Sequence, residues 1–116
     1  MRIAVRGRNT AVTDTLRRHV EERFTTRIGK QVSDLAELDV ELLVEKNPAI
    51  AEDKIAEATL RLKGVTLRAR ESSSDLEHSV DLVADKLARQ VKRHRDKRRG
   101  RRESNVKTAS PPPQSA

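Results

Sequence analysis

Cysteine, tryptophan and tyrosine are absent from this 116-residue chain, and phenylalanine occurs once, at Phe24. Without cysteine there is neither a disulfide nor a thiolate metal site, which suits a reducing compartment. With Phe24 falling in an apolar helical stripe, no aromatic platform is left on which splayed single-stranded bases would stack. Long apolar runs are missing too. No segment approaches the ~20 apolar residues of a membrane span, and the opening residues 1–6 lack the core of a signal peptide. The expectation is a cytoplasmic protein with no membrane partner.

Catalytic signatures are equally scarce. The four glycines are scattered singly, so no phosphate-binding loop or dinucleotide fingerprint exists. His19, His78 and His94 stand far apart, without metal-ligand spacing. The run Ser72-Ser73-Ser74 reads as loop and helix cap rather than nucleophile. The chain is therefore read as a non-enzyme that needs no metal, no cofactor and no small-molecule substrate.

What the chain does have is charge, unevenly placed. Residues 86–116 hold eleven Lys and Arg against two acids, a balance of +9, whereas residues 1–85 hold fourteen basic and sixteen acidic residues, or −2. The whole-chain +7 is thus the property of one element and its tail. A localised cationic helix on a near-neutral domain is a surface suited to phosphates. Apolar residues make up 34 % of the chain, below the ~45–50 % usual for globular domains, so a core of Leu, Val, Ile and Ala of modest stability is expected.

Periodicity divides the first hundred residues into six elements. Residues 2–8 alternate, with Ile3 and Val5 opposite Arg2, Arg6 and Arg8, as in a half-buried strand. Thr13 is placed to cap a helix running to about Lys30, whose buried face is Leu16, Val20, Phe24 and Ile28. From Glu37 to Lys46 the period becomes two, with Leu38, Val40, Leu42 and Val44 inward. Asn47-Pro48 interrupts. A third strand turns Ala56, Ala58, Leu60 and Leu62 inward, Gly64 marks a tight turn, and a fourth strand carries Val65, Leu67 and Ala69. Ser74 and Glu77 have capping-box spacing for a second helix with the stripe Leu76, Val80, Val83, Leu87 and Val91, expected to fray near Gly100. The fold class is α+β, β-α-β-β-β-α: one four-stranded sheet with two helices packed on one face. The domain is assigned to residues 1–100, and residues 101–116 to a basic, then Pro/Ser-rich disordered tail or linker.

On the second helix, at about 100° per residue from Leu87, the residues Lys86, Arg89, Arg93 and Lys97 fall at roughly −80° to −160°. They form a stripe parallel to the buried one, about 16 Å long. Glu77, Asp81 and Asp85 fall on the other flank. Cations late in a helix complement its dipole, but like charges at i,i+4 cost helix stability. This many of them points to a polyanion, held through its backbone and shape rather than its base edges. Structured RNA fits that description best. On the outer sheet face Arg61, Lys63, Arg68 and Arg70, facing Asp39, Glu41, Glu45 and Glu57, are read as cross-strand charge pairing, and Arg6 and Arg8 as the exceptions.

Two segments carry a resemblance. Gly7-Arg8-Asn9, Val12-Thr13, Leu16, Val20, Glu22 and Arg23 resemble the opening of bacterial ribosome hibernation promoting factors, also called ribosome-associated inhibitors. The segment from Asp75 to Gln90, with Asp81, Lys86-Leu87 and Arg89-Gln90 in register, is similar to that family's second helix. Glu77 stands where the family commonly has Tyr, and Thr26 where it commonly has a basic residue. The resemblance implies a domain that lodges in the decoding channel of the small ribosomal subunit. There it overlaps mRNA and the A- and P-site tRNAs and silences the ribosome in stationary phase or stress. It also implies rRNA contacts at Lys86, Arg89, Arg93 and Lys97, with Lys92 in the same segment, Arg23 on the first helix and Arg8 in the first strand. Ribosome pairing is expected only if a C-terminal domain exists beyond this chain. The rival readings are a general double-stranded RNA-binding module and a protein-interaction domain with a basic tail.

Overall fold

A computed structural model describes residues 1–47 and 49–106, with side-chain surroundings described to residue 97. The elements are β1 (Arg2–Arg8), α1 (Asp14–Ile28), β2 (Glu37–Val44), β3 (Lys54–Leu62), β4 (Val65–Ser73) and α2 (Leu76–Val106). They appear in the order read from periodicity. The sheet is mixed, in the order β1-β2-β3-β4: β1 lies parallel to β2, and β2, β3 and β4 are mutually antiparallel. Register sets Val5 beside Val40, Val40 beside Ala58, and Ala58 beside Ala69, so one inward row crosses all four strands. The helices cover that row. Val20, Phe24 and Ile28 from α1 and Val80, Val83, Leu87 and Val91 from α2 are almost wholly removed from water. Phe24 sits in the core, as its stripe requires.

Local chemistry explains the boundaries. Thr13 is extended and its Oγ1 accepts from the Leu16 amide at 3.1 Å, which satisfies a donor that the first turn leaves free. The tight turn after β3 uses Gly64 at φ 82, a conformation that side chains with a Cβ resist. Asn9, at φ 59, turns the chain out of β1, and its side-chain amide lies 3.4 Å from the Val44 carbonyl.

Two expectations about α2 are corrected. Its cap is Asp75, not Ser74: an Asp75 carboxylate oxygen accepts from the His78 amide at 3.3 Å and the Asp75 carbonyl accepts from Ser79. The chain enters the helix one residue later than the capping box supposed because Ser73 is tied into the core. Ser79 Oγ donates to the Lys54 carbonyl at 2.6 Å, and Ser73 Oγ lies 2.7 Å from Ser79 Oγ. These two buried hydroxyls staple the start of α2 to β3. At the other end α2 does not stop near Gly100 but runs to Val106. One glycine inside a helix costs about 1 kcal/mol, too little to end one that meets no proline before Pro111. Of the disordered tail expected for residues 101–116, residues 101–106 continue α2 and residues 107–116 lie outside the described residues.

The sheet has two unlike margins. β4 is an edge strand, but α2 lies along it: Gln90 Nε2 donates to the Arg68 carbonyl at 2.7 Å, and Lys86 Nζ reaches the Arg70 carbonyl at 3.4 Å. Outward carbonyls that would pair with another strand are thus occupied. β1, the other edge, meets β2 through the Arg2 amide and the Ala36 carbonyl at 2.8 Å, which turns the backbone groups of Ile3, Val5 and Gly7 outward.

Candidate nucleic-acid interface

The two helices run side by side in the same direction, and charge zips them together. Asp81 Oδ1 receives His19 Nε2 at 2.9 Å and Arg23 Nε at 2.8 Å. One turn further, Arg27 Nη2 lies 2.6 Å from Asp85 Oδ1, an ionic contact rather than an aligned hydrogen bond. Asp81 and Asp85 of the anionic flank therefore form the seam against α1, while Glu77 stays exposed. His19, Arg23 and Arg27 follow at four-residue steps, matching Asp81 and Asp85 at the same step.

The cationic flank divides. Lys86 is spent within the fold: its ammonium is 3.2 Å from Glu71 Oε2, beside the Arg70 carbonyl. Arg89, Arg93 and Lys97 are exposed, and among the described residues none stands in an ion pair. Lys92, likewise exposed and without an ion pair among those residues, points to the other side. There it lines a groove of about 580 Å³ between the helices with Arg27, Arg89 and Arg95. Asp85 and Asp96 are the acids of that groove. So the surface is a row of three cations flanked by a shallow basic trough.

Of the seven residues expected to meet RNA, the structure groups Arg89, Lys92, Arg93 and Lys97. Arg23 is held by Asp81 and Lys86 by Glu71. Arg8 ends β1, the edge strand farthest from β4, whereas α2 packs over β3 and β4. It is not part of this cluster. The reading from sequence missed Arg27 and Arg95, although the four-residue step from Arg23 to Arg27 was visible.

Elsewhere the electrostatics are structural. On the outer sheet face Arg61 pairs with Asp39, and Arg70 lies 3.6 Å from Glu57, the cross-strand pairing expected there. The hydrogen bond from Arg61, with the Asp39 charge, raises the guanidinium's pKa further. Asp53 is held below its ordinary carboxylate range, first by its hydrogen bond from Lys54. Among the described residues no three His, Cys, Asp or Glu gather to hold a metal, and no helix is long and apolar enough to cross a membrane.

Residues 3–99 match the family model described as sigma 54 modulation protein / S30EA ribosomal protein. The chain belongs to the ribosome hibernation promoting factor family. It is 34 % identical over 113 residues to the ribosome hibernation promoting factor of Azotobacter vinelandii, covering 97 % of this chain and 100 % of that one. It is 33 % identical over 102 residues to the ribosome hibernation promotion factor of Picosynechococcus sp., covering 88 % of this chain. It spans about half of that relative, 53 % of its length. Among solved structures, the N-terminal domain of Thermus thermophilus Protein Y superposes with a TM-score of 0.68 at 30 % identity, over 81 % of this chain and 99 % of that one. A ribosomal subunit interface protein from Coxiella burnetii shares the fold at 22 % identity with a TM-score of 0.67, over 83 % of this chain and 99 % of that one. Hibernation factors are not enzymes, in agreement with the missing catalytic motifs.

Proposed function

We propose that this chain is a cytoplasmic hibernation factor that binds rRNA in the decoding channel of the small ribosomal subunit. There it blocks translation by occupying the path of mRNA and the A- and P-site tRNAs. The observation that carries the reading is the exposed row Arg89, Arg93 and Lys97, with Lys92 beside it, on a helix whose opposite face is locked into the core. The helix fixes the spacing from which these side chains extend, so no backbone has to be ordered on binding and only side-chain rotamer freedom is lost. The names of the Azotobacter and Picosynechococcus relatives, both ribosome hibernation factors, support the ribosome as the partner. Arg23 and Arg27 become available only as far as Asp81 and Asp85 release them, which makes them secondary contacts.

The test is co-sedimentation with purified ribosomes through sucrose. The double variant Arg89→Glu, Arg93→Glu is expected to leave the ribosomal fractions while its circular dichroism stays unchanged. Affinity of the parent should fall with salt at a log–log slope of roughly −3 for four phosphates neutralised, and tRNA should compete. Retention of the double variant on ribosomes at moderate salt would refute the mechanism.

A further inference from the structure

At the end of the domain where the α1–β2 loop, the β3–β4 turn and α2 converge lies an apolar concavity of about 530 Å³. Its floor is formed by Val32, Leu62 and Val91. Leu35 stands at its lip, 89 % exposed. The turn that presents Leu35 is ordered: its amide donates to Ser33 Oγ and the Ala36 amide donates to the Ser33 carbonyl, each at 3.0 Å. Leu35, held open to water by a fixed turn above the partly exposed Val32 and Leu62, gains free energy when covered.

The rim gives the occupant its charge. Lys63, His94 and Arg95 border the hollow, Arg61 beside them is engaged by Asp39, and Glu37 is the one acid of the lining. Arg95 and Gln31 also line the basic trough between the helices, and the Arg95 guanidinium lies 3.4 Å from Gln31 Oε1. The trough and the apolar hollow are therefore neighbours with a common wall.

We propose that the hollow is a nucleotide-binding subsite. It receives one unstacked nucleotide of the RNA whose phosphates follow the trough, with the base on the aliphatic floor and its phosphate on Lys63 and Arg95. This rests on the RNA-binding reading above. A ligand that spans both features presents regularly spaced anions and then a flat, weakly polar group, which is the build of a nucleic-acid strand. An acidic peptide matches the rim but has no reason to continue along the trough. The chain's own residues 107–116 hold one Lys and no acid, so they do not complement the rim. The volume lies within the ~300–1,000 Å³ usual for small-ligand sites.

Purified ribosomes are the probe. Leu35→Ser should weaken binding about fivefold, as expected when roughly 40 Å² of apolar surface is no longer covered, with the salt slope unchanged because no phosphate contact is lost. Lys63→Ala should make the slope shallower by roughly 0.7 to 0.9. Both positions are exposed, so melting temperatures should match the parent. Photo-leucine at position 35 should cross-link to a nucleotide. If the parent itself fails to bind ribosomes, the RNA reading falls and the subsite with it. If the parent binds but Leu35→Ser binds equally well, or the cross-link goes only to a ribosomal protein, the subsite is refuted while the cationic row stands.

Discussion

Between Leu76 and Leu87, α2 carries Glu77, Asp81, Asp85 and Lys86; Glu77 is an exposed first-turn acid, and each of the other three is met by an opposite charge from α1 or β4. Between Ala88 and Lys97 it carries Arg89, Lys92, Arg93, Arg95 and Lys97 against the single acid Asp96, none of which is in an ion pair among the described residues. The two stretches belong to one continuous helix and share one buried stripe. What separates them is what lies opposite. The first stretch is flanked on both sides, by the seam with α1 and by the β4 edge. The second passes the end of α1, where only the side-chain amide of Gln31 answers Arg95. Charge in the first stretch builds the protein; charge in the second is free to act on something else.

That contrast is open to attack. Leu87, fully buried in the first stretch, should cost about 2–5 kcal/mol of stability when cut to Ala, read by urea denaturation. A smaller loss would mean that α2 is not anchored as described. Arg93→Ala should do the reverse, weakening ribosome binding about tenfold, or ~1.4 kcal/mol, with the urea midpoint unmoved. Asp81→Asn should lower stability by about 1 kcal/mol, since a half-exposed carboxylate loses two partners at once. Ribosome affinity should hold or rise as Arg23 is released; a fall to the level of Arg93→Ala would erase the distinction between the stretches. The smallest effect is expected from Gln90→Ala, about 0.5–1 kcal/mol, with faster amide exchange along β4. No change in exchange would show that Gln90 contributes nothing to the margin.

Much of this was legible in the residues, for a physical reason. Alternation in β2 and β3 and the four-residue recurrence of Leu16, Val20, Phe24 and Ile28 are imposed by the geometry of a one-sided sheet and the helices on it. So the element order and the core could be read directly. The stripe on α2 came from the same helical arithmetic. That arithmetic assigns each side chain an angle but says nothing of what occupies that direction. Lys86 shares its flank with Arg93, yet Glu71 from β4 claims one and not the other. Arg23 looked free because Asp81, 58 positions later, becomes its neighbour only when α1 and α2 lie side by side. The cap at Asp75 was displaced by one residue because Ser73 and Ser79 find each other inside the core, a pairing that no local motif encodes. Arg8 was correctly taken as exposed, but strand order sent it to the opposite edge of the sheet.

The unequal margins of the sheet bear on how the protein behaves when concentrated. With the Arg68 and Arg70 carbonyls of β4 engaged by α2, growth by strand addition is favoured at β1. Two copies meeting there antiparallel about Val5 would set Arg2 against Arg8 twice over. Fibrillar or end-to-end polymers are thereby opposed at each boundary by a different device, so the molecule should stay monodisperse at low ionic strength and lose that protection first where salt screens the arginines.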